Sequence, residues 1–112
     1  MWIMVSGPYR SGGADAARQA ENLRALNAAA AALLRVGHVP VVEVNMALPV
    51  IEAAGGEAAY GGVMVPLSLA LAERCDACLR IGGPSEGADD EAALFTAGGR
   101  PVYYNLADVP PA

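Results

Sequence analysis

The sequence predicts a three-layer α/β fold built on a small parallel sheet, and three observations carry that expectation. Short apolar runs alternate with longer stretches of helical periodicity from one end of the chain to the other. Two of those runs open directly into glycine-rich loops, Gly7 to Gly13 and Gly82 to Gly87. The first two runs are joined by a stretch long enough to be a crossover helix, which strands lying side by side in parallel require.

Trp2 to Ser6 is an apolar run stopped by Gly7-Pro8, as expected of a buried strand whose carboxyl end enters a loop. From Ala14 to Val36, Ala16, Ala20, Leu23, Ala30, Leu33 and Leu34 recur at helical spacing, and Gly37 supplies the stop. His38 to Val44 reads as the second strand, completing a right-handed parallel unit. Asn45 to Val65 scatters Met46, Leu48, Val50, Ile51, Tyr60 and Met64 among Gly55, Gly56, Gly61 and Gly62, which suits a lid or a subunit contact. Pro66 to Arg74 reads as a second helix, Ala77 to Ile81 as the third strand, Asp89 to Ala97 as a third helix stopped by Gly98-Gly99, and Pro101 to Tyr104 as the last strand. The result is one domain over residues 1–112, flavodoxin- or Rossmann-like, with about four strands in the order 2-1-3-4. That order puts the switch point, where such sheets collect ligands, beside both glycine-rich loops.

Composition narrows the chemistry. The 112 residues are 54% hydrophobic, enough for one sizeable core, so a single site is sought. Seven basic residues, all Arg, against twelve acids give a net charge of −5, which argues against nucleic acid and anionic membranes as partners. Without Lys there is neither Schiff-base chemistry nor a P-loop lysine. Two Cys and one His cannot fill a four-ligand structural zinc site, and Cys75 and Cys78 stand too close to staple a fold. Reduced thiols in a cytoplasmic protein are expected, and no metal or organic cofactor is implied. No apolar stretch reaches the roughly 18 residues of a membrane span, and the amino terminus lacks the basic region of a secretory signal.

The loop Gly7-Pro8-Tyr9-Arg10-Ser11-Gly12-Gly13 joins backbone donors, a hydroxyl and a guanidinium at the positive end of a helix, a set suited to a phosphate or a sugar. A plain strand-to-helix turn would look similar. At the second loop, Asp89, Asp90 and Glu91 suit the helix dipole, at roughly 0.3–1 kcal/mol each. Alternatively, that dipole keeps Glu91 ionised as a nucleophile beside the first loop, a carboxylate role known in glycosyl transfer. His38 suits a structural or edge role. Cys75-x-x-Cys78 lies between helix and strand, unlike the redox motif, which enters a helix. Asn27 would bond a neighbouring loop or remain solvated. Arg80 on a buried strand needs a partner, with Asp76 or a subunit contact as candidates. Met46, Leu48, Tyr60 and Met64 read either as core or interface, or as an apolar cover over a base.

Taken in order, Gly7-Pro8-Tyr9-Arg10, Gly37-His38-Val39-Pro40, Cys75-Asp76-Ala77, Ser85-x-Gly87-x-x-x-Glu91 and Gly99-Arg100-Pro101-Val102 resemble the nucleoside 2-deoxyribosyltransferase superfamily over nearly the whole chain. The closest likeness is to its small bacterial branch, and the superfamily includes nucleoside 5′-monophosphate N-glycosidases. The resemblance implies that Glu91 attacks the anomeric carbon of a ribosyl or deoxyribosyl group and displaces the base. Gly7, Tyr9, Arg10, Ser11 and Gly12, with Ser85 and Gly87, would hold the sugar or its 5′-phosphate. It also implies a homodimer or larger homo-oligomer with two subunits around each site. Two positions depart from the family pattern. Met4 stands where an orienting Tyr is common, with Tyr9 as a substitute, and Ser68 stands where an Asp is common. Each lost group is worth about 10²-fold or more in rate. The alternative is a catalytically inactive nucleotide-binding or sensing module of the same fold.

Overall fold

The computed structural model describes residues 1–112 as β1 (Trp2–Ser6), α1 (Ala16–Arg35), β2 (Val39–Val41), α2 (Glu43–Ala53), α3 (Tyr60–Arg74), β3 (Ala77–Arg80), α4 (Glu86–Ala97) and β4 (Val102–Tyr103). The four strands form one all-parallel sheet in the order β2-β1-β3-β4. Alternation along the strands divides the core into two layers. Ile3 and Val5 of β1, with Ala77 and Leu79 of β3, pack against Leu26, Ala29 and Leu33 of α1. Met4 and Cys78 point the other way, onto Ala72 of α3, Cys75 just past its end, and Ala92 and Phe95 of α4. Phe95 is fully buried, a contribution of about 2–3 kcal/mol from the side chain alone.

Chain punctuation explains most element ends. Asp15 caps α1 by accepting from the Arg18 amide at 2.8 Å, and Gly37 leaves the helix at φ +93°, a conformation open to glycine. Ser85 caps α4, accepting from the Ala88 amide at 3.2 Å. The helix therefore starts three residues before the expected Asp89.

The middle of the chain differs from expectation. β2 stops at Val41, and Glu43 opens α2 instead of continuing the strand to Val44. Val44, Ala47 and Ile51 are buried at helical spacing, and this stripe overrides the β-branched run before it. Pro49 sits inside α2 on its exposed side, where losing one backbone donor is tolerated. After a 3-10 turn at Gly56–Ala59, α3 starts at Tyr60 rather than Pro66 and carries Pro66 on an exposed position. Asn45 to Val65 is thus mainly helical, and α2 and α3 pack on each other. No helix is long and apolar enough to cross a membrane.

Candidate active site

The two glycine-rich loops meet at the carboxyl edge of the sheet. β3 ends at Arg80, which is 8% exposed and holds the following turn from within. Its Nε donates to Asp89 Oδ1 at 2.9 Å, and its other nitrogens donate to the carbonyls of Ile81 and Gly83. The partner is therefore Asp89; Asp76 instead accepts from the Trp2 amide at 2.7 Å. The first loop lies directly on this turn. A Cβ at Gly7 would fall 2.7 Å from the Ile81 carbonyl oxygen, and one at Gly82, where φ is +80°, would fall 2.8 Å from Pro8 Cδ. Only glycine permits that approach. Across the seam the Ser11 hydroxyl donates to Ser85 Oγ at 2.8 Å. Ser11, Gly12, Ser85, Glu86 and Gly87 line a pocket of about 400 Å³ facing the first turn of α4.

Gly87 also lines a second cleft of about 320 Å³, so the loop pocket and the cleft that holds Glu91 are neighbours. Glu91 is 8% exposed at the wall of this cleft, among Glu43, Met64, Ser68 and Asp90. Its carboxyl accepts from the Ser68 hydroxyl at 2.7 Å, with Ser6 at the end of β1 and the Glu43 carboxyl beside it. Burial, reinforced by Glu43, pushes Glu91 up to about 9, while the two serine hydroxyls pull the other way. Burial and Glu43 thus act against the expectation that the helix end keeps Glu91 ionised. Because α4 begins at Glu86, Glu91 falls beyond the first turn, where the dipole has faded and desolvation dominates. Behind Ser6, the Cys78 thiol donates to its hydroxyl at 3.5 Å and is pushed up to about 11 by burial, which keeps it a neutral donor.

Tyr9 and Arg10 face elsewhere. They line a separate pocket of about 330 Å³ with Gln19, Glu52, Glu57 and Tyr60. Arg10 forks onto Glu57 at 2.7 and 3.3 Å and lies 4.0 Å above the Tyr60 ring, while Asn22 fixes the loop by donating to the Tyr9 carbonyl. The structure thus brings Ser11, Gly12, Ser85, Gly87 and Glu91 into two neighbouring pockets, with Gly7 at the loop seam and Tyr9 and Arg10 to one side. Met4 is fully buried under α3 and α4, whereas Ser68 stands beside Glu91. Glu43 and Ser6 escaped the reading of the sequence. Both lie at or just past the carboxyl end of a parallel strand, where ligand-facing groups gather, and that position was the available signal.

The remaining candidates are structural. His38 is buried with its Nε2 on the Pro110 carbonyl at 2.6 Å, and Asn27 accepts from Asn45 of α2 at 2.6 Å. Cys75 and Cys78 are free and buried. Met64 lines the Glu91 cleft, while Met46 lies in an apolar groove with Trp2 and Val39 at the β2 edge. No group of three or more His, Cys, Asp or Glu side chains is arranged to hold a metal ion. A scan against protein-family models and a search of curated proteins both find no match to this chain.

Proposed function

We propose that this chain cleaves or transfers the N-glycosidic bond of a nucleoside or nucleoside 5′-monophosphate, as a cytoplasmic member of the nucleoside 2-deoxyribosyltransferase superfamily that its motifs resemble. One observation carries the reading. Glu91 lines a cleft that adjoins, at Gly87, a loop pocket lined by Ser11 and Ser85, so a carboxyl and an anion or sugar cradle lie side by side. The base would lie between α3 and α4 against Met64, with the anomeric carbon at Glu91. The sugar or its phosphate would lie at Ser11 and Ser85. Arg10 would reach a 5′-phosphate on exchanging Glu57 for it, since a guanidinium fork accepts either anion.

A second reading, a silent nucleotide-binding module, is favoured by the upward shift that burial imposes on Glu91, because a neutral carboxyl does not attack carbon. The test is direct. Purine and pyrimidine nucleosides and their 5′-monophosphates are incubated with the parent and with Glu91→Gln, and free base is measured alongside ligand affinity. The parent is expected to release base, and Glu91→Gln to bind within a few-fold of the parent while losing at least about 10³-fold in turnover. Equal turnover in the two proteins would end the glycosyl-transfer reading. Nucleotide binding without turnover in the parent would establish the silent module.

A further inference from the structure

We propose that Glu43 is the second carboxyl of the reaction, sharing a single proton with Glu91, taking it as Glu91 attacks and delivering it to the departing base. This rests on the N-glycosidic reading of the cleft.

Glu43 opens α2 just past the end of β2, and its Oε2 is shut away from solvent with no hydrogen-bond donor in reach. Such an atom is uncommon and calls for a partner. Ser68 directs its hydroxyl to Glu91, and none of the ion pairs involves Glu43 or Glu91. Two facing carboxylates have no donor between them. One proton held between them supplies it and relieves the repulsion, as in other buried carboxyl dyads. The other titratable groups around the pair are Asp90 on α4, Cys78 on β3 and Tyr60 on α3, and the cations nearest to these, Arg80 and Arg10, are already paired with Asp89 and Glu57. The proton therefore stays with the pair. Burial favours its resting on Glu91, which agrees with the upward shift there.

The chemistry balances with that one proton. As Glu91 attacks, its proton passes to Glu43. A Glu91 oxygen bonds to the anomeric carbon, the carbon–nitrogen bond breaks, and its electron pair leaves on the base, which is protonated by Glu43. Water then bonds to the anomeric carbon and gives a proton to Glu43, and the ester bond breaks with its electron pair returning to Glu91. One water is consumed, one base and one sugar are released, and the pair again holds one proton. Glu43 thereby supplies from α2 the proton transfer that Ser68 cannot.

Base release is measured from pH 5 to 9 for the parent, Glu43→Gln, Glu43→Asp and Glu91→Gln, on a natural nucleoside and on a p-nitrophenyl riboside, whose leaving group needs no proton. Glu43→Gln is expected to lose about 10²-fold or more in kcat on the nucleoside, with KM little changed and the high-pH limb of the profile gone. On the p-nitrophenyl substrate it is expected to stay within a few-fold of the parent, and Glu43→Asp should recover part of the nucleoside rate. In carboxyl-13C NMR, Glu91 of Glu43→Gln should titrate at a lower pH than in the parent. An unchanged rate, profile and Glu91 titration in Glu43→Gln would overturn the role of Glu43, and if Glu91→Gln is inactive the wider reading survives. No base release by the parent overturns both. Should Glu43→Gln fail to fold, the parent decides: a high-pH limb that persists with the p-nitrophenyl substrate counts against Glu43 as proton donor.

Discussion

Glu91 shows how burial and position along a helix decide the state of a carboxyl. Its sequence neighbours, Asp89 and Asp90, suggest an acid favoured by a helix dipole, yet its place beyond the first turn and its 8% exposure make desolvation the larger effect. The sign of the pH dependence follows. A carboxyl protonated in the fold and ionised in the unfolded chain contributes stability that is complete below the unfolded value near 4.5 and is lost as pH rises through about 9. Thermal unfolding of the parent should therefore weaken from pH 5 to 9, by up to ~1.4 kcal/mol per pH unit for one proton. Glu91→Gln should flatten that slope; an equal slope in both proteins would place the proton elsewhere. The motif around Glu91 was readable because its spacing is local. Glu43 was not, since only the packing of α2 on α3 carries it to Glu91, and no spacing along the chain records that.

Between elements, the contact of the two loops decides whether the site forms. Gly7 lies against the Ile81 carbonyl with no room for a methyl group, and Leu26 Cδ2 closes the other side at 2.9 Å. Gly7→Ala should destabilise the fold by about 1–3 kcal/mol and reduce base release by separating Ser11 from Ser85. Gly83→Ala serves as control, because a Cβ there meets nothing within 4 Å. Melting temperatures of both variants provide the check; equal values would mean that the loops do not depend on this contact. The sequence marked both loops through Gly7-Pro8 and Gly82-Gly83-Pro84, and the helix stops through Gly37 and Gly98. It hid α2 because Val41-Val42-Glu43-Val44 has the composition of a strand, and only the buried face of Val44, Ala47 and Ile51 decides for helix. Pro66 misled in the same way, because a proline that suits a helix start is here carried on an exposed position within one.

For the whole molecule, the parallel sheet and its order were legible in the apolar runs and the helix that joins the first two, whereas the two-layer core and the uncovered apolar surface emerge only from the fold. Val65 and Leu69 of α3 and Leu94 of α4 are 58%, 47% and 39% exposed around the mouth of the Glu91 cleft. A surface of this kind beside a binding cleft favours self-association. Light scattering at micromolar concentration should give a mass of at least twice 11.4 kDa, and Val65→Asp with Leu69→Asp should return it to the monomer value. A monomeric parent would count against a site shared between subunits.

The central strand also constrains the order in which the chain assembles. Ile3 pairs with Ala77 and Trp2 with Val39, so β1 acquires its neighbours only when distant parts of the chain arrive. α1, rich in alanine and closed by its own caps, depends on no such encounter. Assembly is then governed by the closing of long loops, which slows folding and leaves Ile3, Met4 and Val5 uncovered in the interval. During that interval a strand that the native fold buries over all but its first residue is an adhesive segment, and the yield of folded chain depends on how quickly β3 reaches it.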